Sequence, residues 1–311
     1  MRIIFLGTPE YATLPLRALA ADPRYQLVGV VTQPDRPTGR GRIAEAPPVK
    51  RAALELGVPV LQPITLRDVD AVEQLAAWRP DAGVVAAYGE ILRRNVLAIP
   101  PLGYLNIHPS LLPRYRGPTP VPAAILNGDS ETGVTVMQLD SKMDSGPIFA
   151  QQRVPLDPDA RTGPLTHALF ELGSHMLCDV LARYADGSLV PTPQDDAQAT
   201  YCKMLQKQDG FIDWNTPAVQ IERMTRAYDP WPGAQTIWQS QPFKIIAARP
   251  NLSWRGTELP GSLLLQPGNI AVATGSGALE LLTVQPAGKR PLPAADWRNG
   301  LHRMSELRFG A

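Results

Sequence analysis

The sequence predicts an α/β fold in two parts: a Rossmann-like, mostly parallel sheet with helices on both faces, followed by a smaller OB-like β-barrel. Short, nearly all-apolar runs alternate with helical patterns through the first half, as expected for strands covered on both faces. A polar, proline-rich stretch at 187–199 then ends this pattern. Beyond it, several short strand patterns are separated by glycine and proline, which is typical of a small barrel.

Strands and helices alternate in the first part. The predicted strands are 2–6, 27–32, 58–61, 81–86 and 103–107, and the predicted helices are 10–21, 49–56 and 68–78. Two further strands, 132–139 and 147–154, are joined by the tight loop D-S-K-M-D-S-G and predict a hairpin. Leucine, methionine and valine then recur at three- and four-residue steps over 162–184, which predicts a long helix with one face on the core.

The second part has a different texture. One helical pattern covers 218–228, and strand patterns cover 234–238, 243–248, 261–265, 269–273 and 279–284. This change places the domain boundaries. We predict a first domain over 1–189, a linker over 190–207 and a C-terminal domain over 208–311.

Composition limits the classes of function. The chain has 311 residues and a formal net charge of +1, so any contact with nucleic acid must come from local basic patches. Its cysteines, Cys178 and Cys202, form neither a CxxC pair nor a zinc spacing, which fits a reducing compartment. The N-terminal apolar run is too short for a signal peptide, and no stretch approaches the length of a membrane span. We therefore expect a cytoplasmic protein that does not bind membranes, and a monomer.

Polar side chains lie where the strand 103–107 ends. Asn106 and His108 are two residues apart, so they share one side of the chain, at the sheet edge where ligands bind in open parallel sheets. The hairpin loop supplies a carboxylate, Asp140 or Asp144, that can orient the imidazole. An amide donor, an imidazole and a carboxylate together suit acyl transfer. Spacing alone does not decide between Asp140 and Asp144, and it is also compatible with a purely structural role for His108.

The segment N-I-H-P-S-L-L-P-R-Y-R-G at 106–117, with M-D-S-G at 143–146, resembles the formyltransferase family that uses 10-formyltetrahydrofolate. The resemblance implies Asn106, His108 and Asp144 as catalytic residues, and no metal. It also implies that a turn of four residues and the end of the strand 81–86 bind the folate. These cofactor-binding residues are Ser110, Leu111, Leu112 and Pro113 in the turn, and Tyr88 and Gly89 after the strand.

Four further segments are similar to the branch of this family that formylates methionine carried by initiator tRNA. They are T-Q-P-D-R-P-T-G-R-G-R at 32–42, I-D-W at 212–214, P-W-P-G-A at 230–234 and V-Q-P-A-G-K-R at 284–290. The resemblance implies transfer of the formyl group to the α-amine of methionyl-tRNA, for translation initiation. It implies tRNA contacts by the basic loop after the second strand and by the C-terminal barrel. The residues concerned are Arg36, Arg40 and Arg42 in the loop, and Lys289 and Arg290 in the barrel.

The chain departs from the family pattern in two places. Residues 118–122 read P-T-P-V-P where the family usually has A-A-P-I-Q, which stiffens the segment and removes an amide side chain. Residues 201–204 read Y-C-K-M where the family usually has Y-A-P-K. The first departure bears on substrate contacts, and the second bears more on packing.

Features of the sequence also bear on three other functions. A dehydrogenase is disfavoured because Gly7 stands alone, without the glycine fingerprint of a dinucleotide site. An RNA-binding protein without enzymatic activity is disfavoured by the Asn–His–Asp constellation. A formyltransferase acting on a nucleotide sugar or a purine precursor would share that constellation. The basic loop and the C-terminal barrel argue against this alternative, because a small metabolite needs neither.

Overall fold

The computed structural model describes residues 1–38, 43–266, 268–301 and 307–310, which form two compact units. The first unit comprises Met1–Pro120, Glu131–Pro155 and Thr166–Cys202. The second comprises Val121–Ser130, Leu156–Leu165 and Lys203–Ala311, so two short segments from earlier in the chain belong to the same unit as the C-terminal part. The domain boundaries 1–189, 190–207 and 208–311 stay a prediction.

The first unit is built on one seven-stranded sheet. The strands in chain order are β1 (Arg2–Gly7), β2 (Gln26–Val31), β3 (Arg36–Thr38), β4 (Ile43–Glu45), β5 (Val60–Leu61), β6 (Ala82–Ala86), β7 (Tyr104–His108), β8 (Glu131–Gln138) and β9 (Ile148–Pro155). The sheet order is β5-β2-β1-β6-β7-β8-β9, while β3 and β4 form a separate two-stranded sheet. Strands β5, β2, β1, β6 and β7 run parallel to one another. Strand β8 pairs antiparallel with β7, and β9 pairs antiparallel with β8. The predicted mostly parallel sheet and its hairpin are confirmed.

Six α-helices begin among the described residues up to position 185. They are α1 (Thr13–Ala21), α2 (Pro48–Glu55), α3 (Val69–Ala77), α4 (Arg94–Leu97), α5 (Pro120–Asn127) and α6 (Thr162–Ala185). The sequence predicts α1, α2, α3 and α6, but it does not predict α4 or α5. Helix α5 begins within the P-T-P-V-P segment, with Pro120 and Pro122 in its first turn. Proline is compatible with this position because the first amides of a helix have no intrahelical acceptor.

Alternation along the central strand explains how both faces of the sheet are covered. Ile4 and Leu6 of β1 pack in one cluster with Leu75 of α3 and Val96 of α4. Phe5, which lies between them in the chain, is fully buried as well and points to the opposite face. A strand that is apolar at every position therefore lies between two layers of helices, as the sequence predicts. No helix in the described part of the chain combines the length and the apolarity needed to cross a lipid bilayer.

The second unit contains a curled, antiparallel sheet. Its elements are helix α7 (Ala218–Ala227), strands β10 (Gln235–Trp238), β11 (Gln241–Asn251), β12 (Leu263–Gln266), β13 (Asn269–Ala273), β14 (Ala278–Pro286) and β15 (Leu292–Pro293), and helix α8 (Ala294–Arg298). The strand order is β10-β11-β14-β13-β12, with β15 paired to β14. The sheet curls into a half-barrel, which confirms the predicted small β-domain. Strand β15 and helix α8 are not predicted from the sequence.

Aromatic side chains fill the core of the second unit. Trp214, of the I-D-W segment, stacks on Phe309 with ring centroids 5.4 Å apart. Trp238 meets Trp297 edge-on at the same centroid distance of 5.4 Å. Buried tryptophan also needs a hydrogen-bond acceptor, and Trp214 Nε1 donates to Thr236 Oγ1 at 3.1 Å. The I-D-W segment is therefore explained by packing of the core.

Candidate active site

Strand β7 places the predicted amide and imidazole at the edge where the parallel strands end. Asn106 pairs in register with Val85 of β6 and Met137 of β8, so it lies in the interior of the sheet. Asn106 is 8% exposed and His108 is 4% exposed. Both side chains are thus largely shielded from water. In such surroundings a hydrogen bond to a developing charge is stronger than it is in water.

The hairpin loop between β8 and β9 brings Asp144 to His108. Asp144 Oδ2 lies 3.7 Å from His108 Nδ1, and it accepts a hydrogen bond from the Gly117 amide at 2.8 Å. The expected direct hydrogen bond between carboxylate and imidazole is therefore not formed, because 3.7 Å is too long for one. The amide of Gly117, a residue to which the sequence assigns no role, is the group that holds the carboxylate oxygen.

The competing carboxylate belongs to a different set of contacts. Asp140 Oδ1 accepts from the Lys142 amide at 2.9 Å, and the Ser145 hydroxyl donates to Asp140 Oδ2 at 2.8 Å. Asp140 thus folds the hairpin loop upon itself. Gly146 is required in this loop because an added Cβ would lie 1.9 Å from the Gln138 carbonyl oxygen. The D-S-G sequence therefore lets the loop close tightly behind Asp144.

The contacts of His108 fix which ring nitrogen faces Asp144. His108 Nε2 lies 3.0 Å from the carbonyl oxygen of Tyr115. A carbonyl only accepts, so Nε2 carries the proton in this contact. Nδ1 of the neutral ring then has a free lone pair, and it is the nitrogen directed at Asp144. A proton on Nδ1 would convert the 3.7 Å contact into an ion pair.

The turn that follows β7 is held by hydrogen bonds from neighbouring strands. The Thr135 hydroxyl of β8 donates to the Ser110 carbonyl at 2.6 Å and accepts from the Leu112 amide at 3.2 Å. Gln151 Nε2 of β9 donates to the Leu112 carbonyl at 2.7 Å. The Ser110 hydroxyl donates to the Arg114 carbonyl at 2.7 Å, so it also stabilises the turn.

Side chains of this turn point in different directions. Leu112 is buried and Leu111 is partly exposed, lying over Gly133 of β8. The peptide bond between Leu112 and Pro113 is cis. Hydrogen bonds from Thr135, Gln151 and Ser110 hold the predicted cofactor-binding turn beside the Asn–His–Asp constellation, and its role in binding stays a prediction.

The end of β6 borders a cavity of about 540 Å³. Its lining includes residues after β1, β2 and β6, namely Thr8, Pro9, Gln33, Pro34, Ala87, Tyr88 and Gly89, and residues of the basic segment, namely Arg36, Glu45, Ala46, Pro47, Pro48 and Arg51. Gly89 has φ +93°, and an added Cβ there would meet no atom within 4 Å. This edge of the sheet is open enough to admit a ligand against the backbone.

The Tyr88 phenol and the Cys202 thiol lie near these loops and are not activated as nucleophiles. The Tyr88 ring is packed in the apolar cluster of the sheet, and burial raises the pKa of its phenol, with the charge of Glu90 adding to the effect. Burial also raises the pKa of the Cys202 thiol. Near neutral pH both groups stay protonated, so neither a phenolate nor a thiolate nucleophile is supplied here.

The basic segment after β2 is partly ordered by pairing. Strands β3 and β4 form a two-stranded ribbon, where the sequence predicts only a loop. Lys50 is paired with Asp35 at 2.7 Å, and Arg51 lies 3.4 Å from Glu45. Arg36 is exposed on β3 and lines the cavity. Arg40 and Arg42 fall outside the described residues.

Lys289 and Arg290 lie at a turn in the second unit. Both are exposed in the turn that follows β14, and the Lys289 amide donates to the Pro286 carbonyl at 3.1 Å. Their positions suit contact with a polyanion, and that role stays a prediction. Among the described residues, no group of three or more histidine, cysteine, aspartate and glutamate side chains is placed to hold a metal ion.

Sequence reasoning missed the groups that orient this site. Thr135 and Gln151 lie on neighbouring strands and hold the turn after β7. Gln194 lies in the predicted linker, yet its amide donates to the Asp144 carbonyl at 2.9 Å. Only Arg116 and Gly117 carried a signal, since both belong to the quoted segment 106–117. A glutamine in a proline-rich stretch carries none.

Comparison with protein families gives two matches along the chain. The formyl transferase family matches residues 1–181, and the formyl transferase C-terminal domain matches residues 204–302. The chain is also similar to the methionyl-tRNA formyltransferase of Roseiflexus sp. (strain RS-1). The two are 66% identical over 310 residues, which cover 100% of this chain and 95% of the relative.

Two solved structures resemble the fold at low identity. One is an N-formyltransferase from Helicobacter canadensis, in complex with folinic acid and dTDP-3-aminofucose. It has a TM-score of 0.67 and 16% identity, over 91% of this chain and 98% of that chain. The other is HypX from Aquifex aeolicus in complex with tetrahydrofolic acid, with a TM-score of 0.62 and 20% identity, over 98% of this chain and 48% of that chain.

Proposed function

The chain belongs to the formyl transferase family and, within it, to the methionyl-tRNA formyltransferases, and from this premise we propose how its residues transfer a formyl group to methionyl-tRNA. The reaction attaches the formyl group to the α-amine of the methionine and gives the N-formylmethionyl-tRNA used in translation initiation. Similarity to a relative of that name along the whole chain carries this assignment, because it includes the C-terminal unit as well as the sheet. We expect the enzyme to act in the cytoplasm.

The formyl donor is a folate, and 10-formyltetrahydrofolate is the donor that we propose. When bound, it supplies a formyl group that is activated by its attachment to N10. The preformed turn at Ser110–Pro113 and the open backbone at Gly89 would hold it, since both lie where parallel strands of the sheet end. Because the formyl group is already activated, the mechanism needs no metal ion.

Asn106 is the group that we assign to the formyl oxygen. When the amine attacks the formyl carbon, negative charge develops on that oxygen. The Asn106 side-chain amide, 8% exposed at the end of β7, would donate a hydrogen bond to it. His108 adds a second donor only when Nδ1 carries a proton, because Nε2 is directed at the Tyr115 carbonyl.

Asp144 and His108 move the proton. The attacking α-amine must lose a proton as its bond to the formyl carbon forms, and N10 must gain one as the bond from that carbon to N10 breaks. Asp144 Oδ2 and His108 Nδ1, 3.7 Å apart, offer two adjacent acceptors for this proton. Either can return it to N10, so the pair has no net change of protonation in one turnover.

The basic ribbon and the second unit provide the surface that we assign to tRNA. Arg36 lies on the ribbon and also lines the 540 Å³ cavity beside the predicted folate loop. A phosphate contact there would bring the aminoacyl end of the tRNA toward the same edge of the sheet. Lys289 and Arg290 would contact the backbone of the same RNA at a second place.

A comparison of acceptors tests this function. With 10-formyltetrahydrofolate as donor, the purified protein should formylate methionyl-initiator tRNA, and it should not measurably formylate a dTDP-amino sugar or glycinamide ribonucleotide. Faster formylation of either small acceptor would instead support the alternative of a nucleotide-sugar or purine-precursor enzyme. The full-length relative does not favour that alternative.

A further inference from the structure

We infer that Gln194, Thr200 and Cys202, with Arg116 behind them, form a strap that positions the catalytic pair Asp144 and His108. This inference rests on the proposed function, because it deepens the roles of those two residues. The strap lies within the segment that the sequence assigns to a linker, 50 residues beyond Asp144 in the chain. All of its contacts described below lie within the first unit.

One end of the strap holds the loop that carries Asp144. Gln194 Nε2 donates to the carbonyl oxygens of Asp144 and Gly146, at 2.9 Å and 2.7 Å. The two hydrogen bonds bracket the D-S-G turn. A single side-chain amide therefore fixes the backbone on both sides of Ser145, and with it the direction in which the Asp144 carboxylate leaves the chain.

Arg116 holds Gln194 in place. Its guanidinium donates twice to Gln194 Oε1, at 3.0 Å and 2.8 Å, and donates to Asp196 Oδ1 at 2.7 Å. Arg116 is 2% exposed, and a buried cation requires partners. With its oxygen held by Arg116, the Gln194 amide has one orientation, in which its nitrogen is directed at the Asp144 loop.

The other end of the strap holds the loop that contacts His108. Thr200 Oγ1 accepts from the Tyr115 amide at 2.8 Å, and the Arg116 amide donates to the Thr200 carbonyl at 2.8 Å. The Cys202 amide donates to the Arg116 carbonyl at 2.9 Å. The Tyr115 carbonyl oxygen lies between these bonds, and it is the group that contacts His108 Nε2 at 3.0 Å.

Contact between the strap and the 115–117 loop leaves no room for a side chain. Gly117 has φ +118°, and an added Cβ would lie 2.4 Å from the Cys202 carbonyl oxygen. The Gly117 amide is the donor to Asp144 Oδ2 at 2.8 Å. The strap therefore also fixes the position of the amide that orients the carboxylate.

The backbone conformation of the held residues shows why a strap is needed. Tyr115 has φ +60° and Asp144 has φ +49°, both in the left-handed region that non-glycine residues rarely occupy. Such a residue is strained, and it persists only where the surroundings impose its conformation. Gln194 contacts Asp144 and Thr200 contacts Tyr115. Loss of either contact allows one catalytic side chain to leave its position.

A double-mutant cycle tests whether Gln194 acts through Asp144. Gln194→Met removes both hydrogen bonds at similar volume. It should lower kcat about 10- to 100-fold, the cost of a small misplacement, with the KM for folate changed by less than about 2-fold. In an Asp144→Asn background, Gln194→Met should lower kcat by less than about 2-fold, because the carboxylate that it positions is absent.

Thr200 supplies a second, independent variant. Thr200→Val removes the acceptor for the Tyr115 amide and should lower kcat about 10-fold, whereas Thr200→Ser keeps the hydroxyl and should retain wild-type kcat. Gln208→Met is the matched control, because Gln208 is exposed and its amide donates to Gln206 Oε1 at 2.8 Å. Its kcat should equal that of the wild type.

The outcomes separate the strap from the proposed function. Equal loss of kcat from Gln194→Met with and without the Asp144 carboxylate would show a general structural role and overturn the strap. Equal activity of Thr200→Val and Thr200→Ser would overturn it also. Wild-type turnover by Asp144→Asn would overturn the proposed role of Asp144 itself, and the strap with it.

Discussion

Oδ2 of Asp144 accepts a hydrogen bond from the Gly117 amide at 2.8 Å, and the same oxygen lies 3.7 Å from Nδ1 of His108. The carboxylate is thus held by the backbone of one loop and faces the imidazole without a hydrogen bond to it. This arrangement leaves one lone pair on each group available for a proton that arrives from a substrate.

Asp144→Asn should fold like the wild type and lose most of its turnover. The amide can still accept from Gly117, so stability should be kept, but an amide cannot take a proton. We expect kcat to fall by at least about 100-fold. Asp140→Asn is the matched control with a mild effect, since Asp140 only closes its own loop. A larger loss from Asp140→Asn than from Asp144→Asn would contradict the assignment.

Asn106→Ala should lower kcat about 10²- to 10³-fold, as expected for loss of one donor to a developing oxyanion. The KM for each substrate should change little, because this hydrogen bond strengthens only as charge develops. Steady-state kinetics of Asn106→Ala beside Asn215→Ala checks this. Asn215 is exposed and bonds to Asp213. A rise in KM at constant kcat would show that Asn106 serves ground-state binding instead.

Thr135→Val should weaken folate binding and stability together. Valine keeps the shape of threonine, but it leaves the Ser110 carbonyl and the Leu112 amide without the hydroxyl that joins them. An unpaired buried group costs about 1–3 kcal/mol in the free energy of unfolding. Denaturant titration and the KM for folate measure the two effects. Thr135→Ser keeps the hydroxyl and should retain the KM, and a raised KM in both variants would separate the turn from folate binding.

Removal of charge from the basic segment after β2 should weaken the use of methionyl-tRNA and leave folate binding unchanged. Arg36→Ala and Arg40→Ala should each raise the KM for methionyl-tRNA and reduce the slope of log affinity against log salt by about 0.7–0.9 per lost phosphate contact. Equilibrium folate binding should be unchanged. Arg17→Ala is the control, because Arg17 is exposed on α1 and pairs with Glu55 at 2.6 Å. Unchanged tRNA kinetics in both variants would make the basic segment after β2 an ordinary solvated surface.

The sequence predicts most of the framework because its strongest signals are local. Nearly all-apolar strands such as β1 and β6, and the stripe along α6, follow from periodicity within one element. Helix α5 is missed because prolines within P-T-P-V-P mask a helix that begins there. The ribbon of β3 and β4 is missed because three-residue strands carry no usable alternation.

In the candidate site, too, the sequence predicts the residues that carry a local signal and misses those that depend on distant contacts. Asn106 and His108 follow from the end of a predicted strand, whereas the choice of Asp144 over Asp140 required a family resemblance. The contact of Gln194 with Asp144 joins residues 50 positions apart through an irregular segment. No periodicity or spacing rule covers such a contact, so only the folded chain reveals it.

Formyl transfer itself is the most direct test of the account. The measurement is mass spectrometry of the methionine released from initiator tRNA after incubation with ¹³C-formyl-labelled 10-formyltetrahydrofolate. Wild-type protein should yield labelled N-formylmethionine, and Asp144→Asn should yield it at a rate lower by at least about 100-fold. Absence of labelled product with wild-type protein, or equal rates in the two proteins, would contradict the central claim.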